Sequence, residues 1–172
     1  VALSVSEVRL RGAVGYIAII RDVSERRRIE RAMHTSEARF QAFMDNSPAV
    51  ACMKDEAGRF VYVNRTFEAF FNLRLAEAIG RTDFDLWPPE TAETLRAHDR
   101  RVLAEDTTIV TVEMVPAPDG SPHEWLVFKF PVTDDAGQRL LGGMAVDVTS
   151  RRQAERRLAA QHAVTRVLSA SG

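Results

Sequence analysis

The feature that most constrains this chain is a strand-to-helix junction that occurs twice. Residues 15–28 read GYIAIIRDVSERRR and residues 143–152 read GMAVDVTSRR. Each copy is an apolar, β-branched run that stops at Asp-Val-Ser or Asp-Val-Thr and continues as an Arg-rich helical pattern. The two aspartates, Asp22 and Asp147, stand about 125 positions apart, roughly the length of one small domain. The repetition predicts one complete domain between two such junctions.

Composition limits the function classes that the chain can belong to. Its 172 residues suffice for one full domain and a remnant, and the net charge of −1 gives no overall field that attracts nucleic acid or a membrane. Arginines cluster at 26–31 and 151–157, but Glu lies among them, which favours a solvated helix face. The single Cys52 excludes an internal disulfide and fits a reducing compartment. The expected location is therefore the cytoplasm, and no apolar run approaches the ~20 residues that a membrane span needs.

The first 45 residues predict a hairpin followed by a helix. Residues 1–24 alternate as two strands around a turn at Arg11-Gly12, which predicts the C-terminal strands of a truncated upstream domain. Residues 25–45 lack Pro and Gly and predict a linker helix with Ser24 as its N-cap. Its apolar residues recur at heptad-like spacing, which leaves open a parallel dimer helix or packing on its own domain. The candidate dimer seam is Ile29, Met33, Phe40 and Phe43.

Residues 46–149 predict a single α+β domain. Two strands (50–54 and 59–64) precede several short helices and a longer one over 90–104, and three strands (109–115, 124–132 and 139–148) close the domain. Pro89 is expected in the first turn of the longer helix, and Asn64 is expected to cap free backbone N–H groups where strand meets helix. This order predicts a five-stranded antiparallel sheet with short helices on one face. Residues 150–172 predict a second linker helix, directed toward a missing downstream module.

Five short motifs, in this order, resemble a PAS domain of bacterial multi-domain sensor proteins of the sensor histidine kinase type. They are KDEAGRFVYVNRTF at 54–67, DFDLWPP at 83–89, AHDRRVL at 97–103, KFP at 129–131 with DAG at 135–137, and DVT at 147–149. The resemblance covers about 36–149, and residues 1–24 resemble the tail of a preceding PAS domain. It implies a PAS-like fold flanked by linker helices.

The resemblance also implies a function. The module would couple ligand binding, or a conformational change upstream, to a downstream output domain of the same chain, in a histidine kinase. Asp22, Asp147 and Thr149 would transfer the signal at the junctions. Asp147 and Thr149 can also be a cap at the start of the second linker helix, either alone or together with that role. The implied partners are a second copy, held through the linker helices, and, in the ligand-binding alternative, a small molecule. Neither nucleic acid nor the membrane itself is an expected partner. The fragment is predicted not to be an enzyme, since it has no phosphate-cradling Gly-rich loop and no nucleophile–base arrangement.

A PAS-like fold encloses a small cavity, and strand alternation gives its expected lining. Apolar side chains alone can fill such a space, so a core without a cofactor is the default expectation. A dimerisation and relay spacer that binds no ligand is the alternative function, which a cavity under about 100 Å³ would favour. Lys54 either reaches the mouth of the cavity or, as the more frequent case, pairs on the surface with Asp55 or Glu56. The ligand-pocket candidates are Val50, Cys52, Phe60, Tyr62, Phe67, Phe71, Phe84, Leu86, Leu95, His98, Val102, Val110, Val112, Leu126, Phe128 and Met144, and alternation adds Met114 and Phe130.

Cofactors stay open at this stage. His98-Asp99 occupies the position where haem-binding oxygen sensors of the resembled family carry an axial histidine, so a haem-dependent gas sensor is a further alternative. The light-sensing members of the resembled family carry a Cys for flavin chemistry in the stretch that matches 80–84, which has none here, so only a non-covalently bound flavin stays open. The four histidines are scattered without the spacing of a metal site.

Overall fold

The structure, a computed structural model, describes residues 2–10, 13–21 and 24–170. The chain divides into two compact units, Val1–Phe43 and Met44–Gly172. Asp22 lies outside the described residues, so its predicted part in signal transfer has no structural description. No helix within the described ranges combines the length and the apolar character that crossing a bilayer requires.

The first unit contains the predicted hairpin. Strand β1 (Ala2–Leu10) pairs antiparallel with β2 (Ala13–Arg21), and helix α1 (Ser24–Asp45) follows. The hairpin and the helix are therefore confirmed as elements. All four residues of the candidate dimer seam have exposed side chains. That this seam pairs two copies stays a prediction.

The second unit holds the predicted five-stranded antiparallel sheet, with strand order β4-β3-β7-β6-β5. The first strand of the unit therefore pairs with the last, so that Val50 lies opposite Ala145. The α+β fold is confirmed, and the long helix begins with Pro at its first turn as expected. The elements are β3 (Val50–Asp55), β4 (Phe60–Val63), α2 (Arg65–Phe71), α3 (Leu75–Ala78), α4 (Asp83–Leu86), α5 (Pro89–Glu105), β5 (Ile109–Pro116), β6 (Pro122–Thr133), β7 (Arg139–Asp147) and α6 (Thr149–Ala170).

Asn64 fixes the point where the first hairpin of the sheet meets the helices. Its Oδ1 accepts hydrogen bonds from the backbone N–H of Phe67 at 3.0 Å and of Ala51 at 2.9 Å, and its Nδ2 donates to Ala49 O at 2.9 Å. Asn64 is fully buried, so these bonds satisfy groups that water cannot reach. The N-cap expected at this position is confirmed, and it ties α2 to β3.

The core lies between the sheet and the helices. It combines residues from β3 and β4, such as Val50 and Phe60, with Phe67 of α2 and Leu95 of α5. Trp125 completes the core from β6, which lies beyond β7 in the strand order. A second, smaller cluster joins Val102 and Leu103 of α5 to Leu141 of β7. The helices therefore cover one face of the sheet and leave a small space under α2, α4 and α5.

The predicted alternation of β5 and β6 is wrong by one residue. Val110 is 57% exposed, Met114 53% and Phe128 38%, whereas Glu113 and Lys129 are buried. Because strand side chains alternate, an error of one position moves every side chain of the strand to the other face. Both strands carry apolar residues on both faces, and charged residues occupy the inner one. The same correction applies to Val112, Leu126 and Phe130.

Candidate functional site

The candidate site is a cavity of about 70 Å³ between the sheet and the helices. Seven predicted residues line it: Val50, Cys52, Phe60, Phe67, Phe71, Leu95 and Met144. Among the described residues, the other candidates do not reach it: Tyr62, Phe84, Leu86, His98, Val102, Val110, Val112, Leu126 and Phe128. That the lining residues bind a ligand stays a prediction.

The misplaced candidates have separate physical reasons. Phe84 is 53% exposed because the single turn of α4 points it outward. Val102 belongs to the second core cluster. Tyr62 is displaced because a β-bulge shifts the pairing of β3 with β4 between Met53 and Lys54.

Aromatic rings form much of the cavity wall. The ring centroids of Phe67 and Phe71 are 4.8 Å apart, and Phe71 lies 5.5 Å from Trp87 and 5.8 Å from Trp125. Phe60 packs against Phe67 at 5.7 Å. These spacings are those of tilted and edge-to-face pairs, which stabilise a packed wall beyond the effect of their buried area. Sequence reasoning did not place either tryptophan at the cavity.

Five charged side chains form a buried ion network beside the aromatic wall. Lys54 Nζ lies 2.6 Å from both carboxylate oxygens of Asp83 and 2.9 Å from Oδ2 of Asp99. Lys129 Nζ lies 2.7 Å from Oδ1 of Asp99 and 2.8 Å from Oε1 of Glu113. None of the five is more than 5% exposed, and all five line the cavity. Asp99 is the centre of the network, since it pairs with both lysines.

The network corrects two expectations about charged residues. Lys54 does not pair on the surface with Asp55 or Glu56 but is buried on the two aspartates. His98 does not point into the cavity, because its Nδ1 lies 2.7 Å from Oε1 of Glu113. The remaining network residues were missed. The sequence contains one indication of them. Glu113 shares its strand face with Val115, and Lys129 shares its strand face with Trp125 and Val127.

The network shifts the ionisation of its members in opposite directions. Burial alone would raise the pKa of Asp99, but Lys54 and Lys129 outweigh it and hold that pKa below its ordinary value. Burial alone would lower the pKa of Lys54, but Asp99 and Asp83 hold it above its ordinary value. The pKa of Asp83 is raised because burial outweighs its pairing with Lys54. Asp83 is therefore the aspartate of the network that takes up a proton first as the pH falls.

The cavity thiol is unreactive in this setting. Burial raises the pKa of Cys52 to about 11, so the side chain is a neutral thiol near pH 7. Its Sγ would lie 3.1 Å from a Cβ placed on Gly143, which indicates close packing between β3 and β7. Cys52 therefore serves as a small apolar wall residue.

Helix α6 starts at a second cluster of polar contacts, which we call the exit junction: His123, Glu124, Asp147, Thr149, Arg152 and Arg156. Asp147 Oδ1 accepts the backbone N–H of Thr149 at 2.8 Å, and Asp147 Oδ2 lies 2.6 Å from His123 Nδ1. Thr149 Oγ1 accepts the backbone N–H of Glu124 at 2.9 Å. Burial raises the pKa of Asp147, but the hydrogen bonds from Thr149 and His123 outweigh it and lower that pKa. The cap expected from Asp147 and Thr149 is confirmed.

Glu124 is the part of the exit junction that sequence reasoning missed. Its carboxylate accepts from Arg152 Nη1 at 3.1 Å and lies 2.7 Å from Arg156 Nη1. Its backbone oxygen also accepts from Val148 N at 2.8 Å. The two arginines are four residues apart on α6, so they share one face of the helix. One residue of β6 therefore holds the first two turns of α6.

The exit junction also touches the aromatic core. The His123 ring lies 5.2 Å from Phe70, and Phe70 lies 4.6 Å from Trp125, which lines the cavity. Trp125 stands opposite Asp147 in the pairing of β6 with β7. Residues that are consecutive in β6 therefore contact the cavity on one side and the start of α6 on the other.

Within the ranges that the structure describes, no group of three or more His, Cys, Asp or Glu side chains is arranged to hold a metal ion. A haem does not fit this site either. His98, the axial candidate, faces Glu113, and a cavity of about 70 Å³ is far smaller than a macrocycle.

The chain is similar in sequence to sensor proteins. The chain is 31% identical over 120 residues to the methanogenesis regulatory histidine kinase FilI of Methanothrix harundinacea, covering 69% of this chain and 13% of FilI. It is 32% identical over 141 residues to the C4-dicarboxylate transport sensor protein DctS of Rhodobacter capsulatus, covering 79% of this chain and 21% of DctS. The chain thus spans between an eighth and about a fifth of these relatives.

A solved structure shares the fold. VqmA of Vibrio cholerae, determined in a complex with ligand and DNA, superposes with a TM-score of 0.56 and is 28% identical. The match covers 63% of this chain and 50% of VqmA. The family described as the PAS fold matches residues 44–153, which include the whole sheet, the cavity and the exit junction up to Arg152. This chain belongs to the PAS family.

Proposed function

We propose that residues 44–153 form the sensory and relay module of a cytoplasmic histidine kinase and pass a conformational signal from the sheet to α6. FilI and DctS are named as a histidine kinase and a sensor protein, which supports this assignment. The chain itself supplies no catalysis, and the kinase output is carried by the same polypeptide. Two copies associate through α1.

The observation that carries the proposal is the position of β6. Its inner face lines the cavity with Trp125, Val127 and Lys129. Its neighbouring residues His123 and Glu124 hold Asp147 and the first turns of α6. A shift of β6 therefore moves the start of α6, since the two are joined by hydrogen bonds and ion pairs. A coupling of about 1–3 kcal/mol is enough to switch an output.

The size of the cavity favours a second candidate function. At about 70 Å³ it falls below the ~100 Å³ at which a pure dimerisation and relay spacer becomes the better description. In that case the input comes from the preceding segment of the chain and not from a ligand. The related VqmA is known in a form bound to DPO, at 28% identity and a TM-score of 0.55, which supports ligand sensing.

A distance measurement tests the relay. On a Cys52→Ala background, spin labels are attached at residues 136 and 154, which are exposed on the β6–β7 turn and on α6. The wild-type junction is expected to give one narrow distance distribution, and Glu124→Gln a broad one. The neutral amide has no charge to attract Arg152 and Arg156 and keeps only one acceptor oxygen for the two of them.

A matched control separates the junction from surface charge in general. Glu105→Gln removes an exposed i, i+4 pair with Arg101 on α5 and is expected to leave the distribution narrow. In the full-length protein, Glu124→Gln is expected to change histidine autophosphorylation while Glu105→Gln does not. Equal effects of the two variants on distance and output would contradict the relay.

A further inference from the structure

The cavity has a neighbour that shares part of its wall. An outer groove of about 490 Å³ lies between the segment after α2 and the β5–β6 turn, where Leu73, Arg81 and Pro116 border it. Phe71 and Trp87 line both spaces. The two rings, 5.5 Å apart, are thus the partition between the cavity and the groove.

The ring of Trp87 is less restrained than the rings of Trp125, Phe60 and Phe67. Trp125 is buried and its indole N–H donates to Val115 O at 3.2 Å, and Phe60 and Phe67 are almost fully buried. Trp87 is only partly buried, and within the described residues its indole nitrogen makes no hydrogen bond. Its backbone is fixed, since its N–H donates to Asp83 O at 2.9 Å and Pro88 follows. The side chain can therefore turn while the chain stays in place.

The charge network decides what chemistry the cavity accepts. Lys54, Asp83, Asp99, Glu113 and Lys129 are paired with one another. An anionic ligand would meet lysines that are already paired, and a cationic ligand would meet carboxylates that are already paired, so burying either charge is unfavourable. The rest of the wall is apolar and includes five aromatic rings, which prefer tilted or stacked contacts with another ring. The chemistry favours a flat, uncharged molecule.

The volumes set the size of the ligand and its route. A cavity of about 150 Å³ binds benzene in another protein. The 70 Å³ here is about half of that, so a single ring fits only if part of the wall is displaced. Rotation of Trp87 toward the groove provides that space, because the groove lies directly behind it.

We propose that the cavity and the outer groove form one binding site for a small, uncharged aromatic molecule, which enters through the groove past Trp87. This inference rests on the proposed sensory function and names the ligand class for it. It also assigns Trp87 as the residue that controls access, while the ion network rejects charged analogues.

Binding is tested with benzene as the probe on the whole chain. The chain has two tryptophans, both at the cavity, so their two indole N–H signals in a ¹H–¹⁵N spectrum report directly on it. Trp87→Phe assigns them. Benzene is expected to shift both signals saturably, whereas benzoate and benzylammonium at equal concentration shift neither. The absence of a saturable shift with benzene, or equal binding of the charged analogues, overturns the proposal.

The route is tested with variants on either side of the partition. Trp87→Ala is expected to raise the association rate of benzene about tenfold, because it removes the gating ring. Phe84→Ala, an exposed ring on the adjacent α4, is the matched control and should leave the rate unchanged. Ala117→Trp narrows the groove without touching the cavity and is expected to slow association about tenfold at nearly constant affinity.

Each outcome has a definite meaning. If Trp87→Ala does not fold, the Ala117→Trp rate decides the route. A rate that neither variant changes overturns entry past Trp87. Binding of benzene without any change in the spin-label distance between residues 136 and 154 leaves the site standing and contradicts ligand sensing. If Glu124→Gln changes the spin-label distance but the protein binds no benzene, the proposed binding site is wrong and the relay is not contradicted.

Discussion

The ion network and the exit junction use the same kinds of side chain in opposite surroundings. In the network, the lysines and carboxylates are almost completely withdrawn from water. At the exit junction, the Arg152 and Arg156 side chains are 42% and 65% exposed. Burial strengthens the attraction between charges, and it also penalises any charge left alone. The network therefore holds the fold in one state, while the exit junction can be rearranged at small cost.

The largest effect is expected when the network loses its central charge. Asp99→Asn removes the buried carboxylate that Lys54 and Lys129 share. Each lysine keeps one partner, Asp83 or Glu113, and loses the pairing that joins the two halves of the network. The free energy of unfolding is expected to fall by about 3–5 kcal/mol, measured by urea denaturation. Asp135→Asn, on an exposed turn, is the control and should change it by less than about 0.5 kcal/mol. A loss below about 1 kcal/mol for Asp99→Asn would remove the contrast between the two regions.

The pH dependence sharpens the same contrast. The folded state holds the pKa of Asp99 below its ordinary value, so Asp99 contributes its full stability above its unfolded pKa, near 4. That contribution is lost as the pH falls through the lowered, folded-state pKa. The stability difference between wild type and Asp99→Asn is therefore expected to shrink as the pH falls from 7 to below 4. Comparison with the variant is needed because the raised pKa of Asp83 acts in the opposite direction. A pH-independent difference would contradict the assignment.

A smaller effect is expected at the exit junction. Asp147→Asn weakens the contact with His123 and the cap on Thr149, and should cost about 1 kcal/mol of unfolding free energy. Its main effect should be on α6, whose amide hydrogens in the first turn are expected to exchange faster while those of β3 do not. Equal acceleration in both elements would indicate general destabilisation, and the two regions would then not differ.

The smallest effect is expected on the outer face of the sheet. Val110 is mostly exposed although its strand also carries the buried Glu113. Val110→Thr should change the free energy of unfolding by less than about 0.5 kcal/mol, whereas Val127→Thr on the inner face should cost several times more. Thermal denaturation of the pair checks this. A large loss of unfolding free energy for Val110→Thr would support the alternation predicted from the sequence, in which Val110 faces inward.

The order of elements could be predicted because it depends on local patterns. Pro89 at a helix start and Asn64 at a cap act within a few residues of themselves. The inner face of β5 and β6 could not be predicted by the rule that apolar residues face inward. There the charged residues are buried, because they meet partners from elements far away in sequence.

The candidate site shows the same division. Seven apolar candidates line the cavity as expected, because the local periodicity of their helices and strands places them on the inner face. The network was missed because Lys54 and Asp99 are 45 positions apart, and nothing in either local segment indicates the other. The cap at Asp147 and Thr149 was found, since it lies within three residues. The link from Glu124 to Arg152 spans 28 positions and was not.

The pairing of β3 with β7 has a consequence for how such a chain can change in evolution. Val50 and Ala145 face each other, so the polypeptide enters and leaves the sheet on adjacent strands. A unit whose two ends lie side by side can be duplicated, deleted or inserted into a longer helical chain as a block, with little strain on what flanks it. The addition of one more module then lengthens the protein without redesigning its neighbours.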